Sequence, residues 1–131
     1  MARGILFKAK RIDNGEWVEG YYVKSVEGNY IVVPNKEESI WGEGKIIEID
    51  IDTLCQYTGL TDKNGNKIWE NDVVFAGSNI VVTWNEYYAS WSLTKEGWMY
   101  SHFFGESVDA KEDCVVIGNI FDNPELLGGD E

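Results

Sequence analysis

The chain has 131 residues, of which 44% are hydrophobic and 14% aromatic, and this composition predicts an ordered globular protein. Eleven basic residues against 23 acidic ones give a formal net charge of −12, which disfavours non-specific binding to duplex nucleic acid because an acidic surface repels phosphate. No segment approaches about eighteen consecutive apolar residues, and the start lacks the apolar core of a signal peptide, so we expect a soluble cytoplasmic protein.

The predicted elements are short strands, because apolar and polar residues alternate in short runs rich in β-branched and aromatic side chains. In chain order these runs cover residues 5–11, 17–26, 29–34, 45–51, 67–75, 79–84, 89–94, 97–104 and 114–121. Turn residues separate them, and Asn64-Gly65 has the composition of a type I′ hairpin turn. This pattern predicts an all-β barrel or sandwich rather than alternating strands and helices.

Two short helical turns interrupt the strands in this prediction. The first covers residues 52–57 with Asp52 as its cap, and the second starts with Asn123 as cap and Pro124 at the first helical position. A boundary near residues 50–60 is expected to separate an N-terminal β lobe, residues 1–55, from a small C-terminal barrel, residues 56–127, with a tail at 128–131; the alternative is one continuous domain.

The basic residues are unevenly distributed along the chain. The first eleven residues contain four bases and no acid, and we interpret this start as a strand whose lysines face water.

Cys55 and Cys114 have no CxxC spacing, so we interpret both as reduced, buried, apolar side chains.

In the stretch QYTGLTDKNGNKIWENDVV, residues 56–74, oxygen-bearing side chains at alternate positions suggest a calcium loop, and Glu70 with Asp72 suggests a carboxylate pair. A calcium-binding EF-hand loop that started at Asp62 would need glycine at its sixth position and glutamate at its twelfth, which are Lys67 and Val73 here. Glu70 and Asp72 are spaced for one face of a strand, but no partner base accompanies them, and we likewise interpret the single His102 as structural.

A hairpin is the better interpretation of the same stretch, because it contains an Asn-Gly turn between two apolar runs. We expect Ile68, Val73 and Val74 to point inward and residues 70–72 to form the bend.

The combination of residues 56–74 with VVIGNIFDNPELL, residues 115–127, resembles the YopX family of phage and prophage proteins. The start RGILFKAK and the strand WVEGY, residues 17–21, are similar to the N-terminal pattern of that family, so the resemblance covers about residues 3–127. It implies a β-rich fold with an SH3-like barrel in the C-terminal half, an origin in a phage or prophage, and no established enzymatic activity. Asn71 stands where relatives often have glycine, and asparagine also tolerates a left-handed backbone, so the turn is expected to persist.

We expect a non-enzymatic interaction module that binds a protein partner or a second copy of itself, with no catalytic residues, no metal and no cofactor. The alternative is single-stranded nucleic-acid binding, in which bases stack on aromatic side chains of the barrel. The candidate binding residues for it are Trp84, Tyr88, Trp91, Trp98, Lys8 and Lys10, whereas the competing interpretation places most of these aromatic side chains in the core. Carbohydrate binding, DNA mimicry and hydrolysis have weaker support, because no pattern of residues points to any of them.

Overall fold

The computed structural model describes residues 5–33, 45–85, 90–94, 102–103 and 110–127. Strands make up 59% of these residues, arranged in two antiparallel sheets, which confirms the all-β prediction. The chain divides into two compact units, Met1–Tyr57 and Thr58–Glu131. That the second half is an SH3-like barrel stays a prediction.

The first unit is a meander of four antiparallel strands followed by one turn of 3-10 helix at Ile51–Thr53. Its strands are β1 Phe7–Lys10, β2 Trp17–Ser25, β3 Gly28–Val33 and β4 Lys45–Glu48. They lie in the order β4-β3-β2-β1, and the start of β5, Cys55–Thr61, pairs with the other edge of β1.

The end of β4 returns to the end of β1, so the meander partly closes on itself. Arg11 and Ile49 form an antiparallel bridge, flanked by hydrogen bonds from Asp50 N–H to the Lys10 carbonyl, 2.9 Å, and from Ile12 N–H to the Glu48 carbonyl, 3.2 Å. Inside this closure Ala9, Ile31 and Ile49 are buried and form the core of the unit.

Gly20 marks the position where β2 changes partners. Residues 17–20 of β2 pair with β1, whereas residues 21–25 pair with β3. A Cβ atom at Gly20 would lie 2.8 Å from Ile31 Cγ2 and closer still to the Val32 carbonyl oxygen. Only glycine therefore fits at this crossing without displacing the backbone of β3.

The second unit contains a five-stranded antiparallel sheet in the order β10-β9-β8-β7-β11. Its elements after β5 are β6 Lys67–Trp69, β7 Asp72–Phe75, β8 Asn79–Asn85, β9 Ser90–Thr94, β10 His102–Phe103, α1 Ala110–Asp113, β11 Val115–Asn119 and a 3-10 turn at Pro124–Leu127. The buried hydrophobic cluster consists of Ile68, Val74, Ile80, Val82, Leu93, Ala110 and Cys114.

Several local predictions are confirmed. Ile68, Val73 and Val74 are fully buried, and both cysteines are buried and outside any disulfide. The bend predicted at residues 70–72 is a turn at residues 70–71, because Asp72 already begins β7, and Asn71 has φ of +71°, the left-handed conformation expected of it.

Two local predictions are wrong. The helical turn covers only Ile51–Thr53, because the cap is Asp50, whose carboxylate accepts the N–H of Asp52, and the chain then enters β5. The hairpin turn at Asn64-Gly65 is not type I′, because only Gly65 has a positive φ, +85°. Its N–H donates to the Asp62 carbonyl at 3.0 Å, which is a type I turn closed by a left-handed glycine.

The longest helix in the described part of the chain has four residues, whereas a bilayer crossing needs about 20.

Candidate functional site

Asp62 is the central residue of the 56–74 stretch, and its carboxylate is 2% exposed. Oδ1 accepts the backbone N–H groups of Asn64 and Asn66, each at 2.9 Å, and Oδ2 accepts the N–H of Val116 at 2.9 Å. The carboxylate therefore closes the hairpin loop and fastens it to β11.

The protonation of Asp62 follows from the same contacts. Burial works to raise the pKa of its carboxyl group, but the hydrogen bonds from Val116, Asn66 and Asn64 outweigh it, so the pKa lies below the ordinary 3.8. Asp62 is thus a charged residue that anchors the loop, and its hydrogen bonds explain its burial without a bound metal ion.

Asp72 has a similar local task in the next turn. It is buried, and its Oδ2 accepts the backbone N–H of Trp69 at 2.8 Å, across the bend that contains Glu70 and Asn71. Among the described residues, no group of three or more His, Cys, Asp or Glu side chains is placed to hold a metal ion.

Trp84 and Trp91 are the candidate aromatic residues that the structure describes. They are cross-strand partners on β8 and β9, with ring centroids 4.9 Å apart and planes at 69°, an edge-to-face contact. Trp84 is 42% exposed, whereas Trp91 is half-buried against the hydrophobic cluster. Tyr88 and Trp98 lie outside the described residues, so base stacking on these four aromatic residues stays a prediction.

Lys8 and Lys10 lie in the first unit and share one aromatic neighbour. Their Nζ atoms are 4.6 and 5.5 Å from the centroid of the Trp17 ring, within the range of cation–π contacts. Ala9, between them, is buried, so both lysines extend from the outer side of β1. The prediction of a strand at this basic start is confirmed by β1, whereas both lysines are half-buried rather than fully in water.

A contiguous apolar surface on the first unit was not predicted from the sequence. Cross-strand pairing places Tyr21, Val32 and Ile46 in one row across β2, β3 and β4, with Ile46 70% exposed. The next row consists of Val23, Tyr30 and Glu48, and it continues to Ile12 where the end of β4 meets the end of β1.

We call these seven residues the Glu48 patch. Val23 is 44% and Ile12 58% exposed. Glu48 is the one carboxylate among the seven side chains, and none of them carries an ammonium or guanidinium group. A groove of about 270 Å³ runs between Ile12 and Ile46, beside the Arg11–Asp13 ion pair. The patch is therefore a mostly apolar surface with one negative charge inside it.

The signal for this surface is present in β2. A half-buried strand alternates apolar and polar residues, but here Tyr21 and Val23 face one side while Val18 and Tyr22 pack against the core on the other. Two apolar faces on a strand of a small unit indicate either a second covering layer or a surface for a partner.

The YopX protein family model matches residues 6–128 of the chain. A comparison with curated proteins finds no match. Since the matched region is nearly the whole chain and includes both units described above, the protein belongs to the YopX family.

Proposed function

We propose that this protein is a non-enzymatic interaction module whose first unit binds another polypeptide through the Glu48 patch. The observation that carries the proposal is that exposed and half-buried apolar side chains form one contiguous surface. Single exposed apolar residues are ordinary on protein surfaces and need no explanation. Here Tyr21, Val32 and Ile46 are direct cross-strand neighbours, and contiguous apolar surfaces mark sites of interaction.

The hydrogen bonds that the buried aspartates accept support a role without catalysis. A general acid or base needs a carboxyl group that can reach a substrate, usually with a perturbed pKa in a cleft. Asp62 and Asp72 are buried and accept backbone N–H groups of their own turns. The pKa of Asp62 is lowered, which favours the charged form that a carboxyl group ordinarily has at neutral pH. These carboxylates stabilise turns.

We further propose that the protein originates from a phage or prophage and acts in the cytoplasm of a bacterial host. The origin is what membership of the YopX family suggests. The two buried cysteines, neither of which forms a disulfide, are compatible with a reducing compartment, because small secreted domains commonly depend on disulfides.

Site-specific photocrosslinking tests the proposal. A benzophenone amino acid at position 46 should give a discrete adduct in bacterial cells, and the same probe at position 117, also an exposed isoleucine on a strand, is the matched control. The adduct partner, identified by mass spectrometry and purified, should bind the wild-type chain and lose binding to the Ile46→Asp variant. The same adducts from positions 46 and 117, or a purified partner that binds both chains equally, would overturn the proposal.

Single-stranded nucleic-acid binding is the second candidate, and the two lysines over Trp17 favour it. A base that stacks near Trp17, with its phosphates on Lys8 and Lys10, would use aromatic and cationic groups that already lie together. Titration with a single-stranded oligonucleotide should then quench tryptophan emission less at physiological than at low salt, and Trp17→Leu should remove most of the quenching. Emission that stays constant at low salt would exclude this candidate.

A further inference from the structure

We propose that the partner of the Glu48 patch is a basic polypeptide segment, which places an arginine or lysine against Glu48 and apolar side chains on the residues around it. This inference rests on the proposed function, since it names the chemistry of the segment that the patch binds. Glu48 is the one charged side chain among the seven residues of the patch, and Arg11, which lines the adjacent groove, pairs with Asp13.

Covering the patch takes Glu48 out of water. Its cross-strand neighbour on one side is Tyr30 and on the other side Ile12, so a partner that buries these side chains also covers the carboxylate between them. A carboxylate that loses its water without gaining a cation costs several kcal/mol, roughly the gain from burying two or three apolar side chains. A partner without a positive charge is therefore disfavoured at this surface.

The local geometry suits a guanidinium group. Gly28 leaves open the space above β3 into which the Glu48 side chain bends, because a Cβ atom there would lie 3.0 Å from Glu48 Oε2 and 3.5 Å from the Tyr30 hydroxyl oxygen. A carboxylate and a phenol ring thus lie side by side. Arginine matches both, since its planar fork pairs with carboxylates and its face stacks on aromatic rings.

The charge of the whole chain acts in the same direction. At a net charge of −12, the protein attracts cationic segments and repels acidic ones before contact. A second copy of this chain would bring a second Glu48 and a second net charge of −12 to the interface, so a basic partner is favoured over self-association.

Selection from a random twelve-residue peptide library on the immobilised full chain tests the inference, with counter-selection on the Ile46→Asp variant to remove peptides that bind elsewhere. We expect enriched sequences that contain arginine or lysine among valine, leucine, isoleucine or aromatic residues. Enrichment of acidic or uncharged sequences that need Ile46 would overturn the inference while leaving the proposed function standing. If no sequence depends on Ile46, the inference is also overturned, and crosslinking at position 46 then decides the proposed function by itself.

Charge reversal at one residue sharpens the test. Glu48→Gln should weaken an enriched peptide about tenfold, as expected for the loss of one charge-assisted hydrogen bond, and Glu48→Lys should change the selected sequences from basic to acidic. Glu125→Lys is the matched control, because this residue is exposed, lies in the second unit and gives the same change in net charge. Equal weakening by Glu48→Lys and Glu125→Lys would attribute binding to net charge alone and overturn the assignment to Glu48. Concentration-dependent dimers that Ile46→Asp dissociates would assign the patch to a second copy and overturn the inference as well.

Discussion

Replacing Asp62 with asparagine removes the negative charge and the hydrogen bond from Val116, one of three backbone N–H groups that donate to the carboxylate, while the shape of the side chain is nearly unchanged. The retained oxygen can still accept the N–H groups of Asn64 and Asn66. The new amide nitrogen replaces the oxygen that accepts the Val116 N–H, so two donors then face each other across 2.9 Å. We expect the variant to fold and to lose the fastening between the hairpin loop and β11.

The magnitude follows from the contacts of this one carboxylate. A hydrogen bond to a charged acceptor contributes about 1.5–3 kcal/mol, and an amide donor left without a partner adds to the loss, so Asp62→Asn should lower the free energy of unfolding by about 2 kcal/mol. Asp62→Ala leaves all three N–H groups without their acceptor and should cost about 4 kcal/mol. The difference between the two variants measures the two hydrogen bonds that asparagine keeps.

Urea unfolding, followed by tryptophan fluorescence, gives both values. With a slope of about 1–3 kcal/mol per molar urea, a loss of about 2 kcal/mol moves the midpoint by about 1 M. Asp13→Asn is the control, because Asp13 is exposed and forms a surface ion pair with the neighbouring Arg11, and its midpoint should stay near that of the wild type. If the midpoint of Asp62→Asn equals that of Asp13→Asn while exchange of the Val116 amide stays slow, the anchoring role of Asp62 is refuted.

Acid should reproduce part of the Asp62 effect. Because the folded pKa lies below 3.8, the stabilisation is complete above that pH and is lost as pH falls through the folded pKa, so the wild type and Asp62→Asn should converge in unfolding midpoint in acid. Gly20→Ala should lower the free energy of unfolding by about 2 kcal/mol in the same assay, since its Cβ meets the Val32 carbonyl; a change below the error of the fit would contradict this. Asn71→Ala should cost about 1 kcal/mol and Asn71→Gly almost nothing, because of the positive φ; equal melting temperatures would show that the backbone conformation is not the reason.

The parts of the fold that the sequence predicts are those that depend on neighbouring residues. Alternation of apolar side chains places Ile68, Val73 and Val74 inside, and their burial needs no knowledge of a distant strand. The left-handed backbone at Asn71 is predictable in the same way, from the tolerance of one side chain. Strand pairing across the chain has no such local signal.

β5 shows why the remaining elements are not predicted. Residues 55–61 are mostly polar and small, so they lack the apolar alternation of a strand, and the aspartates before them resemble a helix cap. The strand forms because the opposite edge of β1 offers it hydrogen bonds, with Lys8 opposite Cys55 and Tyr57 N–H donating to the Leu6 carbonyl at 2.8 Å. The partner, rather than the segment, determines the conformation here.

The extent of the Glu48 patch is not predictable from the sequence for the same reason, although β2 has apolar residues on both faces. Residues 12, 21, 32 and 46 are far apart in the chain, and only the register of β2, β3 and β4 makes three of them one row. The aromatic residues between 84 and 104 are close together in the sequence and are therefore easier to predict as a binding surface, yet Trp91 packs against the core. Residues 1–57 contain seven basic and ten acidic side chains, a net −3, whereas residues 58–131 contain four and thirteen, a net −9. Each unit thus has 17 charged side chains, and the excess of negative charge on both adds to the long-range attraction of a basic segment.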